Sequence, residues 1–242
     1  MEWFSDWFDS KYYHILYKDR NLKEAKEFIN NLSHLTYFKN SSKIIDIACG
    51  KGRHSILLSN LGYNVTGIDL SEQSIAYAKK SESKNLNFHI SDMRNINYNN
   101  SFDIALNLFT SFGYFENKED NNKSIASFAK CLKKDGVLII DFLNAQNIKS
   151  NLIKHEKKTC DEITFEINRK IKNNHVYKRI NFNDNGHSFN FEERVELLSL
   201  DNFSDMLIKN NMKIINTFGD YHLNPFNLNT SKRLIIVSKK DL

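Results

Sequence analysis

A single proline, Pro225, and only eight glycines occur in 242 residues. So few of either residue excludes collagen-like, proline-rich and flexible-linker chains and leaves helices and strands free of breakers. The three cysteines, Cys49, Cys131 and Cys160, stand far apart with no CxxC pair. That argues against a disulfide framework or structural zinc, and each is expected to be a reduced, buried thiol. The eight histidines have no ligand spacing such as HExxH, so no metal site is expected. No apolar run approaches the roughly 18 to 20 residues of a membrane span. The opening Met1-Glu2-Trp3-Phe4-Ser5-Asp6 is acidic and aromatic, unlike a secretory signal, so a cytoplasmic protein without a membrane partner is expected. What is present is ordinary for a globular protein: 40% hydrophobic and 26% charged residues, net charge +5. The lysines are scattered among Asn, Asp and Glu, so a nucleic-acid partner stays open without being favoured.

From residue 42 the chain alternates short apolar runs with amphipathic stretches, the rhythm of a parallel sheet covered by helices on both faces. Strands are predicted over residues 43–47, 64–69, 86–90, 102–108 and 136–141. Helices fall between them, one opened by the N-cap candidate Ser71 and one over residues 123–132. After residue 144 the pattern changes. Residues 163–171, 176–182 and 188–198 alternate polar and apolar side chains, as half-exposed antiparallel strands do, with turns at Asn173-Asn174 and around Asn185-Gly186. A helix near residues 203–210 and strands over 213–218 and 233–238 then return to the main sheet. The organisation read from this is an N-terminal helical, aromatic segment (1–40), an α/β core (41–150), an inserted antiparallel subdomain (151–198) and a return to the core (199–242). The N-terminal segment crowds Trp3, Phe4, Trp7, Phe8, Tyr12, Tyr13 and Tyr17 ahead of a helix over residues 22–32. It reads either as helix-on-sheet packing or as a lid over a ligand.

The chemistry-bearing stretch is Ile44-Ile45-Asp46-Ile47-Ala48-Cys49-Gly50-Lys51-Gly52-Arg53-His54: a strand, a small-residue turn and a helix start. Gly50 and Gly52 allow the backbone close to a ligand, and the helix N-terminus supplies oriented N–H donors. Asp69 ends the next strand, near the roughly 20-residue offset at which nucleotide-binding folds place an acid on ribose hydroxyls. Asp46 would repel a diphosphate, and Ser55 stands where a dinucleotide fingerprint has its third glycine. An ammonium and a sulfonium suit Asp46 instead, which favours S-adenosylmethionine (SAM) over NAD. Asp92 follows the third strand, where it can accept from an adenine amino group beside Met93.

Asp46–Gly52, Gly67-Ile68-Asp69-Leu70-Ser71, Ser91-Asp92-Met93 and the run 102–107 resemble, in order, the motifs of class I SAM-dependent methyltransferases. The resemblance implies a Rossmann-like, seven-stranded, mostly parallel sheet with its last strand antiparallel, here with a small antiparallel β insertion after the fifth strand. It implies Asp46, Ala48 and Gly50 around the methionine moiety, Asp69 and Leu70 at ribose and adenine, Asp92 and Met93 at adenine, and Asn107 beside the transferring end, with Cys49 and Gly52 of the same turn also at the cofactor. The insertion and the aromatic segment around Tyr12 resemble a bacterial small-molecule subgroup, including amino-sugar N-methyltransferases, in which such pieces enclose the site. Tyr12 is accordingly expected at the cofactor.

The run Asn107-Leu108-Phe109-Thr110-Ser111-Phe112-Gly113-Tyr114-Phe115 follows the fourth strand, where an acceptor would meet the methyl group. Tyr114 and His14 are the candidate catalytic residues. Family members that methylate exocyclic amines of bases carry Asp or Asn followed by Pro-Pro-Tyr here, and cytosine-C5 enzymes carry a Pro-Cys nucleophile; this chain has neither. The reading is SAM-dependent methyl transfer to N or O of a small molecule. An RNA methyltransferase and a non-catalytic SAM-binding protein are the competing readings, and an NAD oxidoreductase leaves Asp46 and Asp92 unexplained.

Overall fold

Five strands carry the frame: β1 (Lys43–Ile47), β2 (Asn64–Asp69), β3 (Leu86–Ile90), β4 (Phe102–Asn107) and β5 (Leu132–Leu143). They belong to a computed structural model that describes residues 3–18 and 22–241, with backbone only for residues 3–5. The side chains of Trp3 and Phe4, and the opening Met1-Glu2, therefore lie outside the described residues. Strands β10 (Met212–Phe218) and β11 (Arg233–Lys240) complete a seven-stranded sheet of order β10-β11-β5-β4-β1-β2-β3. All neighbours pair in parallel except β11, which runs antiparallel to β5 and β10. The expected seven-stranded, doubly wound sheet is what the chain forms.

Strand alternation sends buried side chains to two separate cores. On one face Ile44, Ile104, Val137 and Ile235 meet helices α3 (Leu22–Ser33), α4 (Arg53–Asn60) and α5 (Glu72–Ala78) through Phe28, Leu58 and Ile75. On the other, Ile45, Ala105, Leu138 and Ile236 meet α6 (Lys118–Cys131) and α8 (Leu200–Lys209) through Ile125, Phe128, Phe203 and Leu207. Ser71 caps α5 by accepting from the Ser74 amide, as its sequence position predicts. Helix α6 starts five residues before the predicted 123, because Asn117 caps it by accepting from the Glu119 amide and the acids Glu119 and Asp120 occupy its first turn.

A short helix, α7 (Ala145–Asn151), leads into a second, four-stranded antiparallel sheet: β6 (His155–Cys160), β7 (Ile163–Lys172), β8 (His175–Asp184) and β9 (His187–Glu196). The alternation marks three of these. Strand β6, His-Glu-Lys-Lys-Thr-Cys, has no apolar residue before Cys160 and so no period-two signal. Three two-residue turns link the strands, Asp161-Glu162, Asn173-Asn174 and Asn185-Gly186, all with positive φ at both residues, the hairpin geometry that matches strand twist.

The N-terminal helices α1 (Trp3–Phe8) and α2 (Lys11–Leu16) pack on this second sheet rather than on the main one. Trp7, Tyr12 and Leu16 join Cys160, Ile163, Phe165, Ile180 and Phe182 in a third core. Trp7 Nε1 donates to Glu193 (2.7 Å), as does the Tyr17 hydroxyl (2.6 Å). Cys49, Cys131 and Cys160 are all free and buried. Among the described residues no helix is long and apolar enough to cross a membrane, and no group of three or more His, Cys, Asp or Glu could hold a metal ion.

Candidate cofactor and acceptor site

A cavity of about 730 Å³ lies at the carboxyl edge of β1, β2 and β4, roofed by α1 and α2. Its volume falls within the range of roughly 300 to 1,000 Å³ typical of small-molecule sites. Its floor begins at the turn after β1, where Ala48, Gly50 and Gly52 all have positive φ (59°, 56° and 79°). The turn is held by its own amides: Cys49 N–H donates to the Ile68 carbonyl (2.9 Å), Gly50 N–H to Asp69 (2.7 Å) and Gly52 N–H to the Cys49 carbonyl (3.0 Å). A Cβ on Gly50 would meet nothing within 4 Å, so the chain leaves space on the cavity side. Gly52 serves a different purpose. It does not line the cavity, and a Cβ there would lie 2.5 Å from the Phe88 ring. Its place in the motif comes from packing of the α4 N-terminus over β3, which corrects its expected position beside the ligand.

Asp46 faces the cavity with only 1% of its surface exposed and accepts the Ser55 hydroxyl at 2.6 Å. Burial pushes its carboxyl up to about 6, and the charge of Asp69 adds to the rise. Asp69 is pinned by main-chain amides, Gly50 N–H on Oδ2 (2.7 Å) and Ser71 N–H on Oδ1 (2.9 Å). Burial raises its pKa too, with Asp9 adding to the rise. Asp9 belongs to the roof and accepts from the Ser71 hydroxyl.

Asp92 caps the helical turn Met93–Asn95 and is gripped by the Arg94 guanidinium, whose other arm reaches Asp120 at 3.0 Å. Burial pushes Asp92 up, but the Arg94 hydrogen bonds and charge outweigh it, leaving the carboxyl below its ordinary value. Cys49, Leu70, Met93 and Phe115 complete this end of the cavity, and the Arg94 cation lies 4.8 Å over the Phe115 ring. Burial raises the Cys49 thiol well above its ordinary value, so it stays protonated.

Asn107 does not reach the cavity wall. It is fully buried, and its amide donates to the Ile47 carbonyl at 3.1 Å, lacing β4 to β1. Its Oδ1 has no partner, a buried acceptor left open just behind the turn.

Tyr12 is the larger correction. Tyr12 and Leu16, one turn apart, face the inserted sheet; the Tyr12 ring packs on Phe182 and Phe189, and its hydroxyl donates to Asp184 at 2.8 Å. Phe8, Tyr13, His14 and Tyr17 face the cavity instead. The segment packs on the inserted sheet and also covers the cavity, and helical geometry turns residue 13 rather than 12 toward that cavity. The roof rings pack edge to face, Phe8 against Tyr13 (5.1 Å) and against Tyr114 (5.4 Å). His14 is half-buried, and burial, aided by Lys51, lowers it to about 4, so it is neutral at neutral pH. The Tyr114 hydroxyl donates to the Thr110 carbonyl at 2.7 Å.

The sequence reading also misses Ser55, Asp9 and Asp141. Ser55, read in the sequence only as standing in place of a third glycine, is the third residue of α4 and reaches back to the buried Asp46. Asp141 could have been found as the sole charge in the apolar run Val137–Leu143, since a buried carboxylate demands partners.

The sheet order, the strand-end acids and the turn between β1 and α4 define an α/β fold of the nucleoside-binding kind, with a cavity at the carboxyl edge of its sheet. Residues 38–191 match the family model of a methyltransferase domain, and the chain belongs to that family of SAM-dependent methyltransferases. A putative methyltransferase of Bacillus subtilis, YqeM, is 38% identical over 102 residues, 41% of each chain. The dTDP-3-amino-3,4,6-trideoxy-alpha-D-glucopyranose N,N-dimethyltransferase of Streptomyces venezuelae is 30% identical over 101 residues, 42% of each. The chain thus matches about two fifths of the length of these curated relatives. An S-adenosylmethionine-dependent methyltransferase of Clostridium acetobutylicum shares the fold over 96% of both chains, with TM-score 0.80 at 20% identity.

The residues present fit SAM as the cofactor. The left-handed turn leaves room at Gly50, Asp46 offers a buried carboxylate to a cation, and the Asp69 carboxylate is held open to the cavity.

Proposed function

We propose that this chain transfers the methyl group of SAM to a nitrogen or oxygen of a small molecule, with an amine as the preferred acceptor. The observation that carries the reading is one cavity lined both by three strand-end carboxylates and by the aromatic rings of the N-terminal helices and of the segment after β4. The carboxylates are Asp46, Asp69 and Asp92; the rings are Phe8, Tyr13, Tyr17 and Tyr114. In this reading Asp46 holds the ammonium of the methionine moiety, Asp69 accepts the ribose hydroxyls, and Asp92 with Met93 recognises adenine. SAM supplies a methyl group on a sulfonium, which leaves as a neutral thioether.

The protein's own contribution is alignment and exclusion of water, both supplied by the roof. Aromatic faces favour the positive charge that develops on an amine nitrogen as it accepts the methyl group, which a neutral hydroxyl delivering its oxygen does not match as well. An amine delivered as the free base also needs no strong general base, and His14, held neutral, can accept a hydrogen bond from it. Tyr114 contributes its ring to the wall, its hydroxyl being directed at Thr110. The named activity of the Streptomyces relative, dimethylation of an amino sugar nitrogen, supports the amine reading.

The test is calorimetric titration with SAM, S-adenosylhomocysteine and NAD, followed by a screen of small amines and alcohols for methyl acceptance. Binding of S-adenosylhomocysteine that is lost in Asp69→Ala, with turnover of an amine, is expected. NAD binding without a SAM response would overturn the reading.

A further inference from the structure

Phe109 and Thr110, the first residues past the end of the Asn107-Leu108 run, have φ of 57° and 59°. Two consecutive non-glycine residues in the left-handed region, one of them β-branched, need support from their surroundings. That support comes from one buried carboxylate. Asp141 on β5 has no exposed surface, and its Oδ2 accepts the Phe109 amide at 2.9 Å and the Tyr221 hydroxyl at 3.2 Å. Its Oδ1 accepts Arg233 Nε at 2.8 Å, with Nη2 at 2.7 Å. The Asp141 carbonyl accepts the Thr110 amide at 2.9 Å, and Arg233 Nη2 also reaches Thr110 Oγ1 at 2.9 Å. Both elbow residues are therefore bound through backbone and side chain to β5 and β11.

The consequence for the cavity lies in the Phe109 ring. It lines the cavity, stacks on Tyr221 at 5.2 Å, tilts against His54 at 4.9 Å and lies 4.5 Å from the Arg53 guanidinium. Tyr221 is backed in turn by Phe28 at 4.4 Å. Burial, then the Asp141 charge, raises the Tyr221 hydroxyl, so it remains a donor.

We infer that Asp141, with Arg233 and Tyr221, is a positioning device that holds the Phe109-Thr110 elbow and so sets the acceptor-side wall of the cavity. The inference rests on the proposed methyl transfer for its functional half. It makes Arg233, at the start of the last strand, a residue that acts on acceptor geometry through Asp141 and Thr110 rather than by contact with the cofactor.

The experiment compares Arg233→Gln, Arg233→Lys and Tyr221→Phe with the unmodified protein. Amide hydrogen exchange is read over residues 108–113 and over 43–47. S-adenosylhomocysteine affinity and acceptor kinetics are measured alongside. Arg233→Gln is expected to speed exchange of the elbow about tenfold while strand β1 is unchanged, since the loss is local. Its acceptor KM should rise about tenfold, with kcat and S-adenosylhomocysteine affinity changed less than about threefold; Arg233→Lys should recover part of the KM. Exchange that rises equally everywhere, or an elbow that stays protected, would overturn the inference. So would a loss of S-adenosylhomocysteine affinity as large as the rise in KM. If no acceptor is turned over, the proposed function fails, and the exchange comparison still decides whether the trio holds the elbow.

Discussion

Lowering the pH from 7.5 to 5 should weaken S-adenosylhomocysteine binding about tenfold, through Asp46. Burial, with Asp69 adding to it, holds this carboxyl up to about 6 in the ligand-free protein. An ammonium placed against it favours the ionised form, so ligand and proton compete for the same oxygens. At pH 5 only about one molecule in ten carries an ionised Asp46, and the apparent affinity falls about tenfold, or about 1.4 kcal/mol. Near pH 6 binding should release about half a proton per ligand, read by calorimetry in two buffers of different ionisation enthalpy. Asp46→Asn should bind more weakly at pH 7.5 and show a flatter profile. In the free protein the sign is opposite to that of a salt-bridged acid. A folded pKa raised above the ordinary 3.8 means that Asp46 costs stability as pH rises from there toward 6, and ligand binding offsets that cost. A flat affinity between pH 5 and 7.5, or an equal slope in Asp46→Asn, would refute the placement of the ammonium at Asp46.

Gly67 on β2 has no room for a methyl group: its Cβ would lie 2.5 Å from the Phe88 ring and 3.0 Å from Cys49 Sγ. Gly67→Ala should cost about 1 to 3 kcal/mol by thermal or denaturant unfolding, partly recovered by adding Phe88→Leu, and an unchanged midpoint would contradict the packing. Tyr12→Phe should lose about 1 kcal/mol of stability with the Asp184 hydrogen bond and leave S-adenosylhomocysteine affinity unchanged, because the ring faces the inserted sheet. A drop in affinity without a drop in stability would return Tyr12 to the cofactor. Tyr114→Phe should keep acceptor turnover within about threefold, whereas Tyr114→Ala, which strips the ring from Phe8, should raise acceptor KM about tenfold or more; equal losses in both would make the hydroxyl the active part.

The main sheet is legible in the chain because short, mostly apolar runs recur between amphipathic stretches, and the first three carry an acid at or near their carboxyl ends. β1, β2 and β3 fall on the predicted residues. The acids Asp46, Asp69 and Asp92 line the cavity because the carboxyl edge of a parallel sheet gathers them, and that edge is fixed by strand direction alone. Residues whose role depends on rotation about a helix or on a distant partner are harder to read. Tyr12 and Tyr13 are adjacent and chemically alike, and only the position of the inserted sheet decides which one faces the cavity. Gly52 and Asn107 sit inside the recognised motifs, yet one makes room for Phe88 and the other laces two strands. Asp141 draws its partners from Phe109 and Thr110, 32 and 31 positions before it, and from Tyr221 and Arg233, 80 and 92 after it, a span no local pattern encodes.

The third core has a consequence for the order in which the protein can be made. Trp7, Tyr12 and Leu16 leave the ribosome well before the surface that covers them, which is built from residues 160–182 and the tie at Glu193. During synthesis these aromatics have no native neighbours, so the roof must wait until the inserted sheet has been translated. Residues 43–107 can pair β1, β2, β3 and β4 before that, so a nascent chain would present the nucleoside-facing turn while the chamber above it is still open.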